Sequence, residues 1–266
     1  MADRETDDNP QRRRRGIYLL PNLFTTATLF GGFYAVISAV NGQFDNASYG
    51  ILAAMVADAL DGRIARLTNT ASDFGKEYDS LCDMVAFGLA ASFVMYAFSL
   101  HHLSAYKWLG GQLGWVTAFA YTACAALRLA RFNVLASRGE AKGDFFGLPS
   151  PAAAAVVAGF VWAMHDMGVQ GRSVMIPAII ITWGAALLMV SNIRFASFKQ
   201  FKLAERVPFR YFLVAVGVFA LFLMAPPQIF FLMFFGYALS GPGLWLYRRT
   251  RQGPAAAAGG REPPSL

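Results

Sequence analysis

Charge is scarce in this chain. Asp, Glu, Lys and Arg make up 15% of 266 residues, while 56% are hydrophobic. That balance excludes an ordinary soluble domain and fits a polytopic membrane protein. Cysteine and histidine are scarcer still. Cys82 and Cys124 both lie inside apolar runs, so free buried thiols are expected and a disulfide is not. His101, His102 and His165 lie far from the acidic stretch described below, which leaves no Cys/His cluster for a zinc-type site. There is no Rossmann glycine fingerprint, P-loop or GxSxG elbow, and no internal repeat of the kind that marks transporters. No cleavable signal is expected, because the first apolar segment is long and no small-residue site clearly ends it.

The apolar residues fall into long runs. Their lengths predict spans near residues 20–40, 47–67, 75–100, 113–132, 149–165, 174–193, 209–225 and 228–247. The expected fold is therefore an all-α polytopic membrane bundle of about eight helices, with both termini cytoplasmic. A basic, disordered head is expected over 1–16, a membrane domain over 17–250 and a disordered Ala/Gly/Pro tail over 251–266. The formal net charge of +7 follows from topology. Of 23 Lys and Arg, only Lys107 and Arg172 fall in the connections assigned to the outer side. The rest gather inside, at Arg12–Arg15, Arg194–Arg210 and Arg248–Arg251 among other places, as the positive-inside rule requires. Nucleic-acid binding is not needed to explain the basic pI.

Against this background one stretch stands out, DALDGRIARLTNTASDFGKEYDSLCD over 58–83. Asp58, Asp61, Gly62, Ala65 and Arg66 share one helical stripe, the one that is normally apolar. Eight mostly polar residues follow, Leu67 to Phe74. Gly75, Asp79 and Asp83 then recur at four-residue spacing on a second helix. Two helices joined by a short connection lie side by side, so the four carboxylates can converge. Acids inside membrane helices are costly, by about 2.5–3.5 kcal/mol each on insertion scales. Four of them together need cations. An all-oxygen donor set suits Mg²⁺ or Mn²⁺, one ion or two. The competing structural explanation is ion pairing with Arg63, Arg66 and Lys76. It accounts for one or two acids, and not for the shared face, the glycines and the polar connection together.

The pattern Asp58-x-x-Asp61-Gly62-x-x-Ala65-Arg66, eight residues, Gly75-x-x-x-Asp79-x-x-x-Asp83 resembles the signature of the CDP-alcohol phosphotransferases, with every specified position and both gaps present. LPNLFTTATLFGGF, ALRLARFNV and FFGLPSPAAA are similar to stretches of the branch of that family that uses L-serine, and the likeness spans roughly residues 17 to 200. The resemblance implies a homodimeric enzyme. It implies transfer of the phosphatidyl group of CDP-diacylglycerol to an alcohol, here L-serine, with release of CMP. It also implies two divalent cations held by Asp58, Asp61, Asp79 and Asp83, with Asp83 as general base. By motif position Gly62, Arg66 and Ser72 would contact the CDP moiety, with Asn22 and Thr25 as further candidates.

The residues themselves suit that chemistry. Gly62 and Ala65 allow a flat nucleotide close to the helix, and Arg66 offers a planar fork to phosphate oxygens. Gly75 serves helix packing at least as well as ligand contact. Arg128, Arg131 and Asn133 lie at the inner end of the fourth span and are candidates for the acceptor or a lipid phosphate, although arginines there also anchor topology. Two rival readings remain. One is a sister enzyme acting on glycerol phosphate, inositol, inositol phosphate or choline. The other is a cation transporter, which would place its acids near the bilayer midplane and leave Gly62 and Arg66 unexplained. A bacterial inner membrane with a cytoplasmic site is the expected location.

Overall fold

A computed structural model describes residues 10–68, 72–105, 110–137, 147–193, 195, 217 and 222–251, with the backbone alone for 10–21, 65–66, 110–111 and 248–251. Among these residues there are helices and turns and no strand. The long helices are α1 (Pro10–Val40), α2 (Phe44–Thr68), α3 (Asp73–Phe98), α4 (Gly110–Ser137), α5 (Ser150–Asp166), α6 (Met175–Val190) and α7 (Pro226–Arg251). Short 3₁₀ turns, Leu100–Ala105 and Gly171–Val174, follow α3 and precede α6.

Five segments are long and apolar enough to cross a bilayer, namely Asn22–Val40, Asp73–Phe98, Gln112–Ser137, Gly171–Val190 and Pro226–Tyr247. They match the expected first, third, fourth, sixth and eighth spans. The second and fifth expected spans are helical but are not among the five. Asp45, Asp58, Asp61, Arg63 and Arg66 dilute the apolar character of α2. Helix α5 has 17 residues, which at about 1.5 Å per residue is about 25 Å, short of a hydrocarbon core about 30 Å thick. The expected seventh span, 209–225, lies outside the described residues apart from Gly217 and 222–225. So do the tail beyond 251, the basic segment 196–210 and the connection 138–146. Helix α1 begins at Pro10, inside the stretch expected as a head.

Small residues bring α1, α2 and α3 together. A Cβ built on Gly31 would lie 2.7 Å from the Gly50 carbonyl oxygen, and one on Gly50 would lie 2.8 Å from that of Gly31. On the neighbouring face a Cβ on Gly32 would lie 2.6 Å from Ala86 Cα. Two backbones can approach this closely only where side chains are absent, which is how membrane helices gain packing contacts without a hydrophobic drive. Helix α5 is apolar all round and almost wholly buried from Ser150 to Ala163, as a central rod should be. Its neighbours include α2, where the Ser48 hydroxyl donates to the Ala158 carbonyl at 3.3 Å.

Helices α1 and α5 end in the same way. Gly42 and Gly168 take φ of +72° and +69°. Around them Gln43 N–H donates to Ser38 O and Val169 N–H to Met164 O, each at 2.9 Å. This is the Schellman arrangement, in which a residue with positive φ lets two amides close the last turn. Both caps fall in connections expected on the outer side. At the other end of the bundle α2 hands over to α3, with Ser72 at the N-cap. Its hydroxyl accepts from Gly75 N–H at 3.0 Å.

Helix α3 changes pitch immediately after Asp83. Met84–Ala90 is π-helical, and α-helix resumes at Ala91. Hydroxyls of α4 reach this wide turn. Tyr121, fully buried, donates to Phe87 O at 3.1 Å, and Thr122 donates to Gly88 O at 3.5 Å and shares a 2.8 Å hydrogen bond with Ser92 just beyond the turn. Such π turns are uncommon in helices and cluster at functional sites.

Candidate active site

The last turns of α2 and the first turns of α3 carry the four aspartates. The helical spacing read from the sequence turns Asp58 and Asp61 toward Asp79, and one carboxylate oxygen from each lies within 4.8 Å of the others. Asp61 is only 5% exposed. Its position is set by two donors: the Thr25 hydroxyl of α1, at 2.9 Å from Oδ2, and the Gly62 backbone N–H. Thr25 is itself buried, held by the close α1–α2 packing. Asp83 stands outside the tight trio yet within electrostatic reach of all three acids and of Arg128.

These acids are not ion-paired among the described residues. Lys76, expected as a partner, pairs instead with exposed Asp73 at 3.2 Å. Arg63 is exposed, and the Arg66 side chain lies outside the described residues. Oδ1 of Asp79 and Oδ1 of Asp83 are buried with no hydrogen-bond partner. Carboxylates this close repel strongly in surroundings of low dielectric, and a cation is what allows them to stay ionised together. The donors are all oxygen, from carboxylates on two helices that can each turn a lone pair inward. That set fits a hard divalent cation and does not fit a soft one.

Beside the acids, α1 and the start of α3 contribute further polar groups. A Cβ on Gly75 would meet Ser72 Oγ at 3.1 Å and Asn22 Oδ1 at 3.6 Å. Gly75 therefore opens space between two of the expected nucleotide contacts, and the neighbours of its missing side chain are polar. Thr26 Oγ1 and Tyr78 Oη lie 3.0 Å apart and tie α1 to α3. Tyr78 was not singled out from the sequence, where it reads as one of several aromatics. Gly62 is half-buried next to Asp61, while the side chains of Ala65 and Arg66 are not among the described residues.

The three acceptor-side candidates separate. Arg128 turns inward, and its Nη1 donates to the Ser150 hydroxyl at the start of α5. Asn133 is engaged with Ser80 of α3, donating from Nδ2 at 2.9 Å. Its amide locks α4 to the helix that carries Asp79 and Asp83. Arg131 is exposed and joins neither group. Ser150 was missed in the sequence, and the one available signal was a serine set between two prolines at a helix start. Cys82 and Cys124 are free thiols, as expected, though only Cys82 is fully buried and Cys124 is half-buried.

Residues 18–191 match the family model described as CDP-alcohol phosphatidyltransferase. Curated relatives carry the name CDP-diacylglycerol–serine O-phosphatidyltransferase. The protein of Helicobacter pylori is 36% identical over 189 residues, covering 70% of this chain and 75% of that one. The Bacillus subtilis protein is 32% identical over 181 residues, 68% of this chain and 92% of its own. The Methanocaldococcus jannaschii protein is 35% identical over 148 residues, 56% and 62% of the respective chains. The matched region takes in the whole acidic site, Arg128 and Ser150, and with that match the chain belongs to the CDP-alcohol phosphatidyltransferase family.

Proposed function

We propose that this chain synthesises phosphatidylserine, transferring the phosphatidyl group of CDP-diacylglycerol to the hydroxyl of L-serine and releasing CMP. The convergence of Asp58, Asp61 and Asp79 within 4.8 Å, with Asp83 beside them, carries the reading. Such a cluster is built for a diphosphate with its cations, and the relatives' shared name supplies the acceptor.

Asp58, Asp61 and Asp79 would hold the cations, with Asp83 as a further ligand. Bound there, Mg²⁺ or Mn²⁺, two to a site, would neutralise the diphosphate and the charge that grows on the leaving group. Hydrogen bonds from Thr25 and the Gly62 amide orient the Asp61 carboxylate before any cation arrives. Asn22, Thr25, Gly62, Arg66 and Ser72 are the proposed nucleotide contacts. Of these, Asn22 and Ser72 face each other across Gly75. The serine hydroxyl oxygen bonds to the phosphorus that carries diacylglycerol. The bond from that phosphorus to the bridging oxygen breaks, and CMP departs with the oxygen and its electron pair. Asp83 takes the hydroxyl proton. Its place outside the tight trio suits a proton acceptor better than a carboxylate fully committed to metal.

The lipid substrate dictates the setting. Its diphosphate lies at the membrane surface, and the acids lie where α2 ends and α3 begins, the same side as the Arg- and Lys-rich connections. We infer an integral enzyme of a bacterial inner membrane, with the site at the cytoplasmic face. Helices α2 and α5 and residues 209–225 would complete eight crossings, and the working form would be a homodimer.

CMP release by the purified protein in detergent tests the reading. CDP-diacylglycerol and Mn²⁺ or Mg²⁺ are supplied with serine, glycerol 3-phosphate, inositol or inositol phosphate in separate reactions. Release that requires both metal and serine is expected. Release with another acceptor alone would overturn the choice of serine, and no release with any acceptor would overturn the transferase reading.

A further inference from the structure

Beside the metal-binding trio lies a pair of opposite charges that does not close on itself. Asp83 of α3 and Arg128 of α4 act on each other electrostatically, yet no salt bridge joins them among the described residues. Each keeps a buried atom without a partner, Oδ1 of Asp83 and Nε of Arg128. Buried opposite charges ordinarily pair, because an unpaired charge in low dielectric is costly. Here Arg128 Nη1 donates instead to the Ser150 hydroxyl at the start of α5.

The start of α5 points the same way. Ser150 and Ala153 are 0% exposed and Ala152 6%. The N-cap, Pro149, offers no side-chain hydrogen bond to this turn. Ala153 N–H turns back to Pro149 O at 2.9 Å, and Pro151 has no N–H, so Ser150 and Ala152 supply the other amides of the turn. A buried helix start without a side-chain cap concentrates donors and the positive end of the dipole, which suits an anion. A cation held at that position is poorly placed unless an anion joins it.

We propose that Arg128 and the first turn of α5 form the carboxylate-reading end of the acceptor pocket, so that an amino-acid acceptor lies with its carboxylate there and its hydroxyl toward Asp83. The assignment rests on the serine-transfer reading and deepens it. A cation and helix-start amides on one side and Asp83 on the other suit a molecule that carries both an anion and a hydroxyl. A phosphate of the nucleotide lipid has the same anionic chemistry, and the experiment separates the two.

The measurement is kcat/KM for L-serine and for serinol, which keeps the hydroxyl and ammonium but has no carboxylate. It is made with CDP-diacylglycerol and Mn²⁺ in detergent for the wild type, Arg128→Gln, Arg128→Lys and Ser150→Ala. The ratio of the two values is independent of how much enzyme is folded. Arg128→Gln should reduce the preference for serine by about 10- to 100-fold, the range expected for losing hydrogen bonds to a charged group. The KM for CDP-diacylglycerol should stay within about twofold. Arg128→Lys should fall between the two, and Ser150→Ala should move the ratio in the same direction by less. An unchanged ratio in Arg128→Gln overturns the assignment, and if its KM for CDP-diacylglycerol rises instead, the anion is the lipid phosphate. If Arg128→Gln is inactive, the ratio in Ser150→Ala decides by the same criterion. Failure of the wild type to use any acceptor would sink the transferase reading itself, a result distinct from an unchanged ratio.

Discussion

The two ends of this bundle treat aspartate differently. At one end Asp45, at the start of α2, lies 3.1 Å from His165 Nδ1, and Asp166 accepts from Gln228 Nε2 at 2.7 Å. Each acid there is near water and has a partner on another helix. At the opposite end Asp58, Asp61, Asp79 and Asp83 crowd together, more deeply placed and without ion pairs among the described residues. Asp45 and Asp58 belong to the same helix, 13 residues apart, or about 20 Å at the helical rise. An acid placed for stability finds a neighbour within the fold. An acid whose neighbours are other acids gains no stability from them, since like charges repel.

The sharpest way to break this comparison is at Asp61, where Thr25, Gly62 and the other acids meet. Asp61→Asn keeps the shape and the hydrogen bond from Thr25 but removes a charge from the trio. Turnover should fall by about 1000-fold, the upper range for loss of one preorganised electrostatic group. Mn²⁺ binding, followed by electron paramagnetic resonance of the free ion, should weaken in parallel. Asp83→Asn comes next. Turnover should drop by about 100-fold or more, as for loss of a general base, while CDP-diacylglycerol binding changes little. A binding loss as large as that of Asp61→Asn would make Asp83 chiefly a ligand.

A smaller effect is expected from the packing that supports the site. Gly32→Val places a branched side chain where the Ala86 backbone already stands. The α1–α3 contact must open, at about 1–3 kcal/mol for overpacking. A lower midpoint of thermal unfolding in detergent should accompany reduced activity, since α1 carries Thr25. Unchanged unfolding would show that the interface has slack that the close contacts do not suggest.

The acidic stripe was legible in the sequence because helical spacing alone decides which residues share a face. Asp58, Asp61 and Asp79 needed only two helices and a short connection to meet. The bundle itself was legible from the apolar runs, which mark five of the described helical segments as long and apolar enough to cross a bilayer. Contacts between distant helices were not legible. Arg128 finds Ser150 and Asn133 finds Ser80 because of how α3, α4 and α5 rotate against one another, and periodicity within one helix carries no record of that. Arg128 and Arg131 look alike as two arginines at a helix end, yet one turns inward and the other stays exposed. The π-helical turn after Asp83 was equally hidden. Its carbonyls at Phe87 and Gly88 accept from Tyr121 and Thr122 of α4, which lie about 34 residues further along the sequence.

The smallest effect should come from the paired end. Asp45 and His165 retain 46% and 38% of their side-chain exposure, so solvent screens their interaction. Asp45→Asn removes the carboxylate charge while preserving size and one acceptor for the imidazole. The loss should be under about 1 kcal/mol, as for exposed ion pairs generally, and kcat/KM for both substrates should match the wild type. Thermal unfolding and CMP release on the same preparation would check both parts. A large loss of turnover from Asp45→Asn, with stability intact, would mean that the far end communicates with the acidic site. The contrast between paired and waiting acids would then no longer separate structure from function in this fold. Equal stability and equal turnover would leave that separation standing on a pair of residues from a single helix, where composition and membrane environment are shared and only the neighbours differ.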